Sequence, residues 1–258
     1  MEIREWAERI LSADTLEEKL LAPEALTDRN PGSPLLFSEP VRPAHMGLAK
    51  RSREEKLPPF QEHGNPDKRA ICLHRFAGHE LLAVEIMAQA LLAFPEAPPA
   101  FRRGVAHTLM EEQGHVELYC KRLSEMGVQF GQMPLYRHFW NHVPYLTCPL
   151  RYISAMSLTF EMANLDFAPL YGKSFAHFGD TASASLMAQI EKDEIHHVSF
   201  GWRWLQKLKQ PETPAWDAWT EHLSPKLTPK RARGFVMHEE NRRKAGLPDD
   251  WIERLKLS

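Results

Sequence analysis

Two short motifs that pair a glutamate with a histidine three residues later could bind metal ions. They are Glu112-x-x-His115 and Glu194-x-x-His197. In an α-helix, side chains three residues apart project to one side, so each motif presents a carboxylate and an imidazole together. A carboxylate together with an imidazole suits iron or manganese. Neither motif contains a cysteine, which disfavours a site for a soft metal. The two motifs therefore predict two metal-binding helices.

A further glutamate precedes each motif by one predicted helix. Glu85 precedes the first motif and Glu161 precedes the second. Two glutamates with two Glu-x-x-His pairs form the ligand set of the helical bundles that hold two iron or manganese ions. Four buried carboxylates would repel one another, and two divalent cations would neutralise them. The predicted ligands are Glu85, Glu112, His115, Glu161, Glu194 and His197.

The first of these helices leaves a choice between two glutamates. Glu80 and Glu85 are five residues apart, about 500° around a helix, so they cannot share one face closely. Methionine and alanine follow Glu85 as they follow Glu161, which favours Glu85 as the ligand. Glu80 would then lie behind the ligands or at the surface, and Asp166 is a candidate hydrogen-bond partner inside the bundle.

The alternative to a metal site is that these residues have only a structural role. The glutamates of the motifs could lie on solvated helix faces while their histidines fill gaps. Apolar neighbours of the motifs favour packing toward the interior instead; they are Leu109, Leu118, Ile190 and Val198. Three other histidines are expected to be packed or exposed and not to bind metal: His74, His79 and His196.

Four long helical stretches would position the ligands, over residues 67–94, 98–127, 149–172 and 180–210. Short connections join the first pair and the last pair, which predicts two antiparallel hairpins. The longer stretch 128–148 joins the hairpins. This pattern predicts an all-α protein with a ferritin-like four-helix bundle, and no strands are expected.

Both ends of the chain are expected to form arms. The predicted organisation is an arm at 1–66, the bundle at 67–209 and a second arm at 210–258. The N-terminal arm has a short helix after the capping box at Thr15 and a proline-rich extended part at about 30–66. A helix is expected at 229–244, where basic residues could contact phosphates, although a helix packed on the bundle is favoured.

Composition gives information on the binding partners and the cellular compartment of the protein. The 258 residues carry a formal charge of −2, so the net charge does not favour binding to nucleic acid. The three cysteines lie far apart without a Cys-x-x-Cys motif, which favours a reducing compartment. No signal peptide and no membrane span are expected from the first 20 residues or from the apolar runs. The sequence therefore predicts a cytoplasmic protein.

The stretches "HRFAGHELLAVEIMAQALLAFP", "EEQGHVELYCKRL", "LTFEMANLDFAPLY" and "DEIHHVSFGWRWL" resemble an uncharacterised family of bacterial ferritin-like proteins. That family is distantly similar to the di-iron tRNA hydroxylase that oxidises the isopentenyl group of a modified adenosine. The resemblance covers about residues 67–208. It implies that Glu85 and Glu161 are terminal ligands, that Glu112 and Glu194 bridge, and that each histidine binds one metal. It also implies that Asp193, with Glu111 as its counterpart, hydrogen-bonds a ligand histidine.

These residues together predict an oxidase or hydroxylase that uses dioxygen and two metal ions, iron before manganese. The substrate is open between a small molecule and modified tRNA, and an electron donor is an expected partner. A ferroxidase or iron-handling protein without an organic substrate is the alternative. A metal-stabilised scaffold that binds a partner and a manganese catalase are the remaining readings.

Overall fold

A computed structural model describes residues 1–50 and 55–258 of the chain. The described residues are mostly helical, which confirms the all-α prediction. The chain divides into two compact units, Met1–Val143 and Pro144–Ser258. Each unit contains one long helical hairpin and the arm next to it in sequence. The predicted division into arm, bundle and arm stays a prediction.

The first unit is built on a hairpin of two long helices. Asn65 begins the first of them by accepting a hydrogen bond from the amide of Asp67, and a proline occupies the first turn. Shorter helices precede the hairpin and a pair of two-residue parallel strands accompanies it. The elements are α1 (Ile3–Ser12), α2 (Leu16–Leu20), β1 (Leu48–Ala49), α3 (Pro66–Ala93), α4 (Pro99–Glu125) and β2 (Leu135–Tyr136).

Polar side chains of the hairpin hold the N-terminal arm. Arg102 donates two hydrogen bonds of 2.8 Å to the Asp28 carboxylate and also donates to the carbonyl oxygens of Leu91 and Phe94. The Gln89 side chain accepts a hydrogen bond from the backbone amide of Phe37 at 3.0 Å. These polar groups are buried or half-buried, so they need hydrogen-bond partners. Their pairing attaches the N-terminal arm, which has little regular secondary structure, to the hairpin.

The second unit is built on the other hairpin. Asp180 caps its second long helix by accepting a hydrogen bond from the amide of Ser183 at 2.9 Å. The elements are α5 (Pro149–Ala155), a π-helical segment (Met156–Glu161), α6 (Met162–His177), α7 (Thr181–Leu208), α8 (Ala215–Glu221), α9 (Glu239–Lys244) and α10 (Asp249–Lys256).

The π-helical segment separates α5 from α6 and ends at Glu161. The carbonyl oxygen of Ser154 accepts hydrogen bonds from the Thr159 hydroxyl at 2.7 Å and from the Trp219 indole at 3.1 Å. Side chains thus satisfy a carbonyl group at the irregular turn. Segments of this kind are short, strained and frequent at functional sites.

Gly201 allows α7 to approach the π-helical segment closely. A Cβ atom at Gly201 would lie 2.3 Å from Cβ of Ser157, which is closer than packed atoms can come. We expect Gly201→Ala to destabilise the protein by about 1–3 kcal/mol through overpacking. Gly114→Ala is the matched control, because nothing lies within 4 Å of its added Cβ. That substitution should stabilise α4 by about 0.5–1 kcal/mol, and denaturant titration of both variants measures the contrast.

Several predicted elements differ from those observed. Strands were not expected, yet β1 and β2 pair in parallel through Leu48 with Leu135 and Ala49 with Tyr136. The helix expected at 229–244 is only a short 3-10 turn, Pro229–Ala232, followed by α9. Gly234 interrupts the segment, because its amide donates to the Asp166 carboxylate instead of to a helical carbonyl. The short helix after Thr15 is present as α2, and the Thr15 hydroxyl accepts a hydrogen bond from the amide of Glu18.

Helix α3 is the helix within residues 1–50 and 55–258 whose length and composition would allow it to cross a membrane. Its most apolar stretch is 89% buried. That burial is typical of a core helix in a globular unit. The burial fits the expectation of no membrane span, and the cytoplasmic location remains a prediction.

His74 connects α3 to the loop that follows α4. Its Nε2 atom accepts hydrogen bonds from the backbone amides of Gly131 at 2.9 Å and Met133 at 3.3 Å. An imidazole can accept there only while that nitrogen is unprotonated. Burial, with a smaller contribution from Arg75, lowers the pKa of His74 to about 4.

This lowered pKa predicts loss of stability in mild acid. Below about pH 6.5 the unfolded chain binds a proton at His74 that the folded chain does not bind until about pH 4, so stability falls across that range. The contribution approaches about 3 kcal/mol at its lower end. Urea unfolding at pH 7.5 and 5 should show a smaller decline for His74→Gln than for the natural chain. Equal declines would contradict this assignment.

Candidate metal centre

One group of potential ligands lies inside the first hairpin. Glu80 on α3 and both Glu112 and His115 on α4 are buried, and a ligand atom from each lies within 4.8 Å of those of the other two. The Nδ1 atom of His115 and the Oε2 atom of Glu112 are 3.1 Å apart. The group therefore offers two carboxylates and one imidazole to the same point.

A second group lies inside the other hairpin. Glu161 at the end of the π-helical segment and His197 on α7 place ligand atoms within 4.8 Å of one another. The Nδ1 atom of His197 is 3.4 Å from Oε2 of Glu194, and all three residues are buried. Each hairpin thus supplies two glutamates and one histidine.

The spacing of these atoms fits coordination of a metal ion. Two ligand atoms bound to one ion at about 2.1 Å, with an angle of about 95–110°, lie about 3.1–3.4 Å apart. The nitrogen-to-oxygen distances in the two motifs are 3.1 and 3.4 Å. A hydrogen bond between imidazolium and carboxylate has a similar length. The distances alone therefore do not distinguish a metal site from an ion pair, and it is the whole set of ligand groups that favours a metal.

The charges of each group favour a cation. Two carboxylates buried together repel each other and lose their hydration, which is costly without a compensating positive charge. A divalent cation supplies that charge and accepts both oxygen and nitrogen ligands. Glu80, Glu112 and His115 could hold one such ion; Glu161, Glu194 and His197 could hold another.

Glu85, the ligand expected on α3, is not brought to either group. Its carboxylate is fully buried and faces the N-terminal arm. Arg42 donates to both carboxylate oxygens, at 2.9 Å from Nε and 2.5 Å from Nη2, and Lys19 lies 3.2 Å away. Glu80 takes the place beside Glu112 and His115 that was expected for Glu85.

The ion pairs explain why a buried glutamate at position 85 is stable without a metal. Lys19 also donates to the carbonyl oxygen of Ile10 at 2.6 Å. Burial lowers the pKa of Lys19, and the neighbouring Glu85 carboxylate opposes that effect. One carboxylate between two cationic side chains leaves the cluster with an excess of positive charge, which disfavours a further cation beside Glu85.

Position along the hairpin is the signal that would have identified Glu80. In an antiparallel hairpin, residues equally far from the connection lie at the same level. The connection between α3 and α4 is centred on Glu96; Glu80 lies sixteen residues before it and Glu112 sixteen residues after it. Glu85 is five residues nearer the connection, about 8 Å along the axis.

The acidic residues expected behind the ligands lie in varied settings. Glu111 is half-buried and 3.4 Å from His107, and Asp193 accepts a hydrogen bond from Gln189. Asp166 is in neither ligand group. It is buried and binds Arg242 through two hydrogen bonds of 2.7 and 2.8 Å, as well as two backbone amides. Asp166 therefore anchors the C-terminal arm.

The family model described as a protein of unknown function (DUF455) matches residues 3–253 of the chain. The chain belongs to the DUF455 family. Neither the curated proteins nor the solved structures contain a match. The DUF455 match covers both hairpins and both arms, so the two ligand groups lie within one family domain.

In this DUF455 chain, the basic residues of α9 form ion pairs within their own unit. Arg243 contacts Glu239 and Asp249, and Lys244 contacts Glu240. His196 is exposed, as expected, and His79 packs against the rings of His138 and Phe139. These contacts agree with a packed arm, and they give no particular support to an RNA-binding surface.

Proposed function

We propose that this DUF455 protein binds two metal ions, iron before manganese, and oxidises an organic substrate with dioxygen. In this proposal the two hairpins are the halves of a ferritin-like four-helix bundle. The ligands are Glu80, Glu112 and His115 from one hairpin and Glu161, Glu194 and His197 from the other. Glu80 replaces Glu85 in the set predicted from the sequence.

The observation that carries the proposal is the same chemical group in both hairpins. Each has one buried histidine whose nitrogen lies close to carboxylate oxygens of two buried glutamates, and the histidine is three residues after one of those glutamates. Such a set neutralises two divalent cations and leaves coordination positions open. Two ferrous ions with open positions can bind and reduce dioxygen.

The residues around the ligands have separate tasks. The apolar side chains of both hairpins keep bulk water from the buried carboxylates, which strengthens their attraction for cations. The π-helical segment sets the direction of Glu161, and ion pairs with Glu85 and Asp166 hold the two arms. Arms fixed in this way could shape a cavity for the substrate, which favours an oxidase or hydroxylase over an iron-storage role.

Oxygen uptake by iron-loaded protein tests the proposed reaction. Protein loaded with ferrous iron without oxygen should, on mixing with air-saturated buffer, oxidise only its bound iron, and slowly. Further ferrous iron should not sustain uptake, whereas His197→Ala should lose most of the bound-iron reaction. Rapid, continuing uptake with ferric product would instead establish the alternative, a ferroxidase, and no uptake by fully loaded protein would contradict both.

A further inference from the structure

A groove of about 510 Å³ lies between α2 and α4 of the first unit. Leucine side chains line it on the side of α2, and α4 contributes an acid and a cysteine. The lining includes Leu16, Leu20, Leu21, Glu117 and Cys120. Sites for small molecules typically have volumes of about 300–1,000 Å³ and mostly apolar walls. This α2–α4 groove therefore has the size and the lining of a site for a small ligand.

Hydrogen bonds and an ion pair hold α2 in place, so the groove does not have to form when a ligand arrives. The buried ammonium group of Lys19 donates to the carbonyl oxygen of Ile10 at 2.6 Å and lies 3.2 Å from the Glu85 carboxylate. The Gln113 side chain of α4 donates to the carbonyl oxygen of Lys19 at 2.6 Å. A site that is fixed in advance loses less entropy on binding.

The groove faces away from the ligand group on the same helix. Glu117 and Cys120 are two and five residues after His115, so their side chains project about 200° and 140° from it around α4. His115 is buried, whereas Glu117 is exposed and Cys120 is half-buried. The groove is therefore a separate site and not a part of the proposed metal centre.

Two carboxylates give the groove its preference for charge. Glu17 on α2 and Glu117 on α4 are exposed lining residues, and within the described part of the chain the lining has no lysine, arginine or histidine. Each exposed pair of opposite charges strengthens binding about 1.5- to 5-fold, and like charges weaken it. The groove thus favours a cation over an anion.

The leucine side chains determine what the cation must carry. Each CH₂ group that leaves water contributes about fourfold in affinity. An apolar chain of several carbon atoms therefore contributes more than the two exposed carboxylates. The charges select the sign of the ligand, and the apolar wall supplies most of the binding free energy.

We infer that the α2–α4 groove binds a small amphipathic cation, namely a protonated primary amine that carries an apolar chain. The apolar chain would lie along Leu16, Leu20 and Leu21, and the ammonium group would lie beside Glu17 and Glu117. This site goes beyond the proposed oxidation and does not depend on it.

Titration calorimetry of the full-length protein with decylammonium chloride tests the inference, in buffer with a chelator so that metal ions take no part. We expect one decylammonium ion to bind per chain. Decanoate, of opposite charge, should bind at least about 4-fold more weakly. Hexylammonium, with four fewer CH₂ groups, should bind at least about 10-fold more weakly. No binding, equal affinities for decylammonium and decanoate, or binding of many ions per chain would overturn the inference.

Removal of both carboxylates should change the two affinities in opposite directions. E17Q/E117Q should weaken the binding of decylammonium about 2- to 30-fold and strengthen the binding of decanoate. Loss of structure would weaken both, so opposite changes identify the charges as the cause. E125Q, which removes an exposed acid of α4 outside the groove lining, should leave both affinities unchanged. Parallel changes in E17Q/E117Q would overturn the inference.

Two exposed leucines provide a matched test of the apolar wall. Leu21 lines the groove and is 56% exposed, whereas Leu118 on α4 is 39% exposed and lies outside the lining. L21S should weaken decylammonium at least about 4-fold, and L118S should not. In a C148S background, saturating decylammonium should also slow alkylation of Cys120 by N-ethylmaleimide, because that thiol lies in the groove lining. Unchanged binding by L21S, or unprotected Cys120, would overturn the inference.

Discussion

Glu85→Gln is expected to destabilise the protein by about 3–5 kcal/mol without lowering its affinity for metal. The substitution leaves Lys19 and Arg42 buried without the carboxylate that they share. Removing one partner of a buried ion pair has an effect of this size, because the remaining charge is desolvated and uncompensated. Thermal or urea unfolding measures the loss, and metal content is measured on the folded fraction.

Two further variants test whether the loss of stability comes from the buried, unpaired charges or from an unspecific effect of the substitution. Glu240→Gln removes an exposed ion pair with Lys244 and should change stability little. Adding Lys19→Met to Glu85→Gln should recover part of the lost stability, because it removes one of the stranded charges. A marked loss of metal in Glu85→Gln at unchanged stability would instead restore Glu85 as a ligand.

Glu80→Gln, unlike Glu85→Gln, is expected to lower the metal affinity and not the stability. The affinity should fall at least about 100-fold while the apoprotein stays folded. The substitution replaces one of the two carboxylates that converge with His115 by a weaker, neutral ligand. Without metal it also removes the repulsion between Glu80 and Glu112, so the stability of the apoprotein should stay equal or rise. Metal titration and urea unfolding of the same sample measure both effects.

The pair of substitutions is informative because the residues are chemically identical and lie on one helix. Glu80 and Glu85 are both buried on α3, but they face different surroundings. If both variants lost metal equally, or if Glu80→Gln alone kept it, the division between a ligand and a structural glutamate would be contradicted.

Local spacing was sufficient to predict part of this molecule. The Glu-x-x-His motifs depend only on the turn of one helix, and both motifs lie on long helices with both members buried. The caps at Thr15 and Asp180 are also short-range features, and the corresponding helices begin within about two residues of the predicted positions.

Contacts between distant parts of the chain could not be predicted in the same way. Arg42 and Glu85 are separated by 43 residues, and Asp166 and Arg242 by 76. Nothing in the local pattern around Glu85 distinguishes an ion-paired glutamate from a metal ligand. The π-helical segment adds a further difficulty, because its wider turn shifts the register of Met156–Glu161 relative to an α-helix, so matching Glu85 to Glu161 by their neighbours was unreliable.

The metal content of the natural protein tests the central proposal most directly. Apoprotein loaded with ferrous iron without oxygen, freed of unbound metal and examined by elemental analysis should hold about two ions per chain. The same measurement on Glu85→Gln should give about two ions in the folded protein, and on Glu80→Gln fewer. A content of zero or one ion in fully folded natural protein would contradict the account.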